Sequence, residues 1–270
     1  MTARLMELMT VKEVAEGLRE TQTVLVPMGV TEQHGYHLPL CTDTFVGYEK
    51  CKAAAERTGS FVTTPFHCGY SGGTLPGTIN LSPQTVSLMA ADTVESLAKQ
   101  GFRTIVIVPG HGDTLFLQML ELGAKMVQWL RKLPADVAVA VAPITSDGGL
   151  GQRYPLDHLD CHAGFFETSV MMYLKPEWVR RQKPVDSPDF MRRLFAGETG
   201  IFVSEKLVDD PAVVPKVRQN EQMMIGVQGD PSKATAEWGE RIFQAMVAEL
   251  VELVGRLEAG RKGSAPAPAT

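Results

Sequence analysis

Three of the six histidines in the chain stand beside carboxylates in short glycine-containing segments. TEQHGYHLPLCTD carries Glu32, His34 and Asp43, PGHGD carries His111 and Asp113, and DCHAGFFETS carries His162 and Glu167. Imidazoles and carboxylates together are ligands for zinc, manganese or iron(II), and the lack of any Cys-x-x-Cys pair argues against a closed structural zinc. Glu32, His34, Asp43, His111 and Glu167 are too many ligands for one catalytic ion that must keep an open position; they suit two divalent cations. A carboxylate such as Asp43 can bridge ions ~3.5 to 4 Å apart, and a water shared between them is acidified to hydroxide at neutral pH. That is a hydrolase design.

Taken singly, each residue has a structural reading. Asp43 ahead of a helical run is an N-cap or first-turn acid. His111 beside glycines is a loop histidine bonded to backbone, Glu32 a solvated acid, and Glu167 a carboxylate paired with an arginine. His37 and His67 read as structural. The metal reading rests on the combination, since three histidines and three carboxylates fall in loops after strands or at a helix start.

The elements that must position these residues follow from the apolar pattern. Runs rich in β-branched residues at Thr23 to Val30, Ser60 to Phe66, Arg103 to Val108 and Asp136 to Pro143 predict strands. Helical patterns at Thr44 to Arg57, Pro83 to Gln100 and Thr114 to Leu133 lie between or after them, the second introduced by Ser82 and Pro83. The alternation predicts a three-layer α/β/α sandwich with a mostly parallel central sheet. Glu32, His34 and Asp43 then follow the carboxyl end of one strand and His111 with Asp113 that of another, where open α/β sheets place ligands. Glu32 and His34, two apart, project to one side of an extended segment. A helix from about Ala163 to Leu174 carries Glu167, with His162 at its start. The Gly-rich stretch Asp147 to Asp160 reads as a functional loop, and Lys183 to Lys216 as an irregular excursion covering a site or contacting a neighbouring subunit. Ser232 is expected to cap a last helix reaching about Leu257. One domain spans 1–259, followed by a disordered low-complexity tail over 260–270.

With 270 residues, 44% hydrophobic and 21% charged, the chain can bury a sizeable core without disulfides. A formal charge of -5 and the lack of basic stretches interleaved with aromatics argue against a nucleic-acid partner. No segment approaches the ~18 apolar residues of a membrane span, and neither a leader nor a disulfide framework is expected, so the chain reads as cytoplasmic with reduced thiols. The glycines near Gly69 to Gly77 do not form a dinucleotide-binding G-x-G-x-x-G opening a helix after the first strand.

These segments resemble the creatininase (creatinine amidohydrolase) family. The E-Q-H-G-x-H-L-P motif stands at Glu32 to Pro39 with Asp43 after it, P-G-T at Pro76 to Thr78, G-H-G at Gly110 to Gly112, H-A-G-x-x-E-T-S at His162 to Ser169, and a G-V-x-G-D-P stretch at Gly226 to Pro231. The resemblance implies Glu32, Asp43 and His111 around one metal and His34, Asp43 and Glu167 around the other. His162 matches the family's proton-donating histidine. It also implies a homo-oligomer, a hexamer, acting on a small molecule, mostly through non-peptide C–N bonds of cyclic amides or formamides; related members cut C–C bonds of cyclic keto-sugars. Departures concern the substrate: Thr145 to Cys161 lacks the tryptophans that wall the creatinine ring, and no histidine stands near Thr74. Asp113 is a candidate further ligand or base, and Ser71, Gly112 and His158 are candidate substrate contacts. The expected activity is attack of a metal-bridging hydroxide on a carbonyl carbon. A keto-cyclitol hydrolase on the same site and a non-catalytic metal-binding protein are the rival readings; an inactive member would be expected to lose a ligand, and none is missing.

Overall fold

A computed structural model describes residues 3–67, 69–144, 160 and 162–263. The central sheet has five parallel strands in the order β1-β3-β2-β4-β5: β1 (Arg4–Leu5), β2 (Thr23–Met28), β3 (Phe61–Val62), β4 (Thr104–Pro109) and β5 (Ala138–Val141). β2 and β4 pair over six residues, Thr23 opposite Thr104 through Met28 opposite Pro109, and every one of those positions is buried. That is why they read as continuous apolar runs: a parallel strand covered on both faces has no polar side to show.

The alternation of side chains sorts the strands between two cores. Leu25, Val62, Val106 and Val108 face α2 (Thr42–Thr58), α5 (Phe165–Leu174) and α7 (Ala236–Gly263). Val24, Val26, Met28, Phe61, Ile105 and Ile107 face α3 (Pro83–Gln100) and α4 (Thr114–Leu130), with α1 (Val11–Gly17) at the margin. This is the expected three-layer α/β/α sandwich. Helix ends follow their local chemistry. Ser82 Oγ accepts the Thr85 N–H at 3.3 Å with Pro83 at the first position of α3, and Thr10 with Glu13 forms a capping box on α1.

Several boundaries differ from the sequence reading. The strand expected over Ser60 to Phe66 shrinks to Phe61–Val62, because Pro65 offers no N–H to a ladder and only a single bridge joins Phe66 to Met28. Ser232 does not cap the last helix: it lies in a 3₁₀ turn, Pro231–Lys233, capped by Asp230, and Thr235 Oγ1 accepts the Trp238 N–H at 3.2 Å in the first turn of α7. α7 runs on to Gly263, past the helix end expected near Leu257. The excursion Lys183 to Lys216 is not wholly irregular. It holds α6 (Pro188–Phe195), capped by Ser187, and β6 (Phe202–Glu205), which pairs antiparallel with β7 (Lys216–Gln219). Phe190, Met191, Leu194 and Met223 form a small separate core there, packed on Leu75. Among the described residues no helix is long and apolar enough to cross a membrane.

Candidate metal centre

Close packing at the carboxyl ends of β2 and β4 brings the ligand candidates together. Gly110, just past β4, has no side chain because the Asp43 carbonyl occupies the place a Cβ would take, and Gly29, just past β2, is closed in the same way by Thr44. The first turn of α2 therefore wedges between the two strand ends. Asp43, in that turn, points its carboxylate into the gap with 2% exposure.

His34 Nδ1 donates to the Glu32 carbonyl at 3.0 Å, which turns Nε2 toward Asp43 Oδ1 at 3.1 Å and Glu167 Oε2 at 3.5 Å. His111 Nδ1 lies 3.1 Å from Asp43 Oδ2 and 3.2 Å from Glu32 Oε2. Two groups able to hold a cation result, Glu32 with Asp43 and His111, and His34 with Asp43 and Glu167, and Asp43 belongs to both. A third grouping, Glu32 with His34 and His162, is of the same size. These are the residues singled out in the sequence, brought to one place from three separate segments.

Electrostatics and hydrogen bonding both suit cations here. Glu32 Oε2 and Asp43 Oδ2 are buried and accept no hydrogen bond, an expensive state for carboxylate oxygens unless positive charge faces them. Without a cation the imidazoles supply it. Burial on its own lowers the His111 pKa, but the Asp43 carboxylate outweighs it and pushes the value up to about 9. His34 is likewise buried, yet Asp43 and Glu167 hold it well above the ordinary imidazole value. Burial would raise the carboxyls of Asp43 and Glu167; the facing imidazoles, His34 foremost, bring both below the usual carboxylate range instead. The donor set of hard oxygens and imidazole nitrogens fits zinc, manganese or iron(II).

The remaining candidates fall into distinct places. His162 Nδ1 lies 3.9 Å from Glu32 Oε2, and its ring sits 4.3 Å from that of His34. Asp113 is the N-cap of α4, its Oδ1 accepting the Phe116 N–H at 2.9 Å. Ser71 is buried and its Oγ accepts the Gly73 N–H at 3.3 Å, in a loop held by Asn80, whose Oδ1 accepts the Ser71 and Gly72 N–H groups at 2.9 Å each. Gly112 is exposed beside His111. His158 lies outside the described residues, as does most of the Asp147 to Asp160 loop. Asp160 caps α5, accepting the N–H groups of Phe165 and Phe166 at 2.8 Å each.

Two residues that the sequence reading left aside belong to this neighbourhood. Gln219, in β7, accepts from the Thr74 N–H and Oγ1 at 2.7 and 3.1 Å, and a Cβ on Gly73 would stand 3.9 Å from both Gln219 Oε1 and Glu32 Oε1. The loop of residues 71–74 thus runs directly past Glu32, with Gln219 behind it. His37 is fully buried. Its Nε2 bonds the Ala163 carbonyl at 3.0 Å and Thr168 Oγ1 at 2.9 Å, and burial pushes its pKa down to about 4. Ala163 has φ 52°, an uncommon left-handed conformation for a residue with a Cβ, and its N–H donates to Glu167 Oε2 at 2.6 Å. His37 therefore clasps the turn that orients a ligand candidate. The second histidine of the E-Q-H-G-x-H motif was the available signal.

The family model described as creatininase, creatinine amidohydrolase, matches residues 7–254. The chain belongs to the creatininase family. Among its relatives is the mycofactocin precursor peptide peptidase of Mycolicibacterium smegmatis (strain ATCC 700084 / mc(2)155), 30% identical over 253 residues that cover 89% of this chain and 87% of that protein. The creatinine amidohydrolase of Pseudomonas putida is 29% identical over 181 residues, 61% of this chain and 69% of that protein. A solved creatininase variant of Zn-Zn type matches with a TM-score of 0.72 at 25% identity, covering 94% of this chain and 98% of that one. Family membership makes the chain a hydrolase.

Proposed function

We propose that this creatininase-family hydrolase is a dinuclear metal-dependent amidohydrolase, with Glu32, Asp43 and His111 holding one divalent cation and His34, Asp43 and Glu167 the other. The observation that carries this reading is the sharing of buried Asp43 between two ligand groups, each carboxylate oxygen facing a different histidine. Two such ions would polarise a carbonyl and supply a strongly acidified water at neutral pH. His34, held by the Glu32 carbonyl, keeps its Nε2 lone pair directed at the site, the outer-sphere orientation that metal-binding histidines require. His162 stands at the edge of the ligand cluster and gives the departing nitrogen its proton. The segment of residues 71–74, backed by Gln219, forms a wall along which the substrate lies. Asp113 caps α4, and its place beside His111 leaves it as a candidate further ligand or base.

The substrate on this reading is an amide, cut at its C–N bond in a small cyclic compound. A peptide amide is a second reading, favoured by the relative that aligns over 89% of the chain. Elemental analysis of the purified protein, followed by assay of cyclic amides and short peptides with and without chelator, tests the proposal. Two transition-metal ions per chain with chelator-sensitive C–N cleavage are expected; a metal-free chain without such activity would return it to the binding-protein reading. We also propose self-association through the β6–β7 hairpin, where Leu207, Val208, Val214 and Val217 are all more than half exposed. Sedimentation at micromolar concentration should show an oligomer, and Leu207→Asp should shift it toward monomer; a clean monomer from the unaltered chain removes this proposal.

A further inference from the structure

The glycines around the strand ends are of two kinds. Most are dictated by the fold. A Cβ on Gly110 would overlap the Asp43 carbonyl, one on Gly69 would overlap Val30, and Gly72 and Gly77 have φ 74° and 93°, where a side chain is strained. Gly73 is under no such demand. Its φ lies outside the left-handed region, and a Cβ there would meet Ser71 Oγ at 3.6 Å and Gln219 Oε1 and Glu32 Oε1 at 3.9 Å, all ordinary van der Waals distances. Gly73 therefore leaves a carbon-sized notch that an alanine would fill without strain, and because the residue is buried the notch belongs to the interior of the site.

The notch keeps its size because the loop around it is held at every N–H. Ser71 and Gly72 donate to Asn80 Oδ1 at 2.9 Å each, Gly73 to Ser71 Oγ at 3.3 Å and Thr74 to Gln219 Oε1 at 2.7 Å. Asn80 Nδ2 returns a bond to the Gly73 carbonyl at 2.7 Å, and Gln219 Nε2 donates to the Met223 carbonyl at 3.4 Å, which turns its oxygen to the loop. A loop so pinned does not collapse into the space. The oxygens that wall it are of unequal standing. Gln219 Oε1 already accepts both the N–H and the hydroxyl of Thr74, whereas Glu32 is a carboxylate whose Oε2 faces His111 at 3.2 Å and whose Oε1 is turned to the notch. An apolar group placed there would desolvate that oxygen with nothing in return; an O–H or N–H would be paired.

We propose that Gly73 is a specificity-determining residue: its missing side chain admits a small hydrogen-bond donor, a hydroxyl or amino group on the carbon next to the scissile carbonyl, which Glu32 Oε1 accepts. The substrate class narrows accordingly to α-hydroxy or α-amino amides. This inference rests on the dinuclear amidohydrolase reading, since only a carbonyl held at the two ligand groups brings its neighbouring carbon past Glu32.

The test is calorimetric binding of three hydroxamates, mimics of a metal-bound amide, to zinc-loaded protein. Glycolohydroxamate and propionohydroxamate match in size and differ by a hydroxyl against a methyl, while acetohydroxamate lacks the extra group. The unaltered protein should bind glycolohydroxamate roughly tenfold more tightly than propionohydroxamate, the yield of one hydrogen bond to a charged acceptor. Gly73→Ala should keep its zinc and melt no lower than the parent. It should lose the preference for the hydroxyl, with acetohydroxamate weakened least. Equal affinities for the matched pair in the unaltered protein overturn the proposal without the need for any variant, and so does a preference that survives Gly73→Ala. Failure of the underlying reading looks different: a chain that takes up no zinc, or zinc-loaded protein that binds none of the three, removes the amidohydrolase site and this inference with it.

Discussion

The ends of β2 and β4 and the outlying segment from α6 to β7 treat polar groups in opposite ways. At the strand ends, Glu32, His34, Asp43 and His111 are buried and face one another across 3.1 to 3.2 Å, with carboxylate oxygens that accept no hydrogen bond. In the outlying segment the charges are exposed and paired locally, Arg218 with Glu205 and Glu221, and Arg192 with Asp189 and Glu198. Exposed pairs of that kind contribute about 0 to 1 kcal/mol each. Uncompensated buried carboxylates cost several times more, so they persist only where positive charge, from the facing imidazoles or from a cation, answers them. Packing a chain well and preparing it for chemistry are thus separable here, and the contrast predicts where substitutions will hurt.

The largest effect is expected at the shared ligand. Asp43→Asn should lose both cations together and cut activity by more than the 10- to 100-fold typical of outer-sphere changes; two retained metals per chain with normal turnover would remove Asp43 from its bridging place. Next comes His162→Asn, which should keep both metals while kcat falls by roughly 10² to 10⁴, less for substrates with better leaving groups. A helix-start histidine with no chemical role would leave kcat nearly unchanged.

Proton linkage gives a smaller and graded effect. In the cation-free chain His111 has its pKa raised to about 9, burial opposing and Asp43 prevailing. The stability this contributes is fully present below the unfolded value near 6.5, and it is lost as pH rises through about 9. A cation must displace that proton, so affinity should climb as pH rises toward about 9. Calorimetric zinc titration near neutral pH, in buffers of different ionisation enthalpy, should register proton release; its absence would contradict the site. Smallest is Asp113→Ala, which removes a cap outside the ligand cluster. It should lower stability by about 0.5 to 2 kcal/mol with metal content intact, and loss of a metal would return Asp113 to the coordination sphere.

What the sequence disclosed follows the same division. β2, β4 and α3 were legible because continuous apolar runs and an Ser-Pro start are local signals. The metal-ligand candidates were legible because unusual residue types cluster within a few positions of strand ends. Local signals were also present but unread in α1, whose Thr10 and Glu13 form a capping box, and in α6, where Ser187 precedes Pro188. β1 had none, being two residues paired in parallel to a strand more than fifty positions away. Gln33, His37 and Asp186 act on partners 193, 126 and about 40 residues distant, so no window along the chain could reveal what each one holds.

The all-parallel sheet also sets when the cation site can exist. A parallel pair cannot close as a hairpin, and joining β2 to β4 brings together segments separated by two helices and a loop, an entropic cost met before any contact repays it. Glu32, His34 and Asp43 share one short segment, but His111 and Glu167 join them only after that closure and the docking of α5. A cation would therefore find neither complete ligand group before closure, and most of its binding energy would enter late on the folding route. It should leave the folding rate almost untouched and slow unfolding instead, making metal loading a determinant of the protein's lifetime more than of its birth.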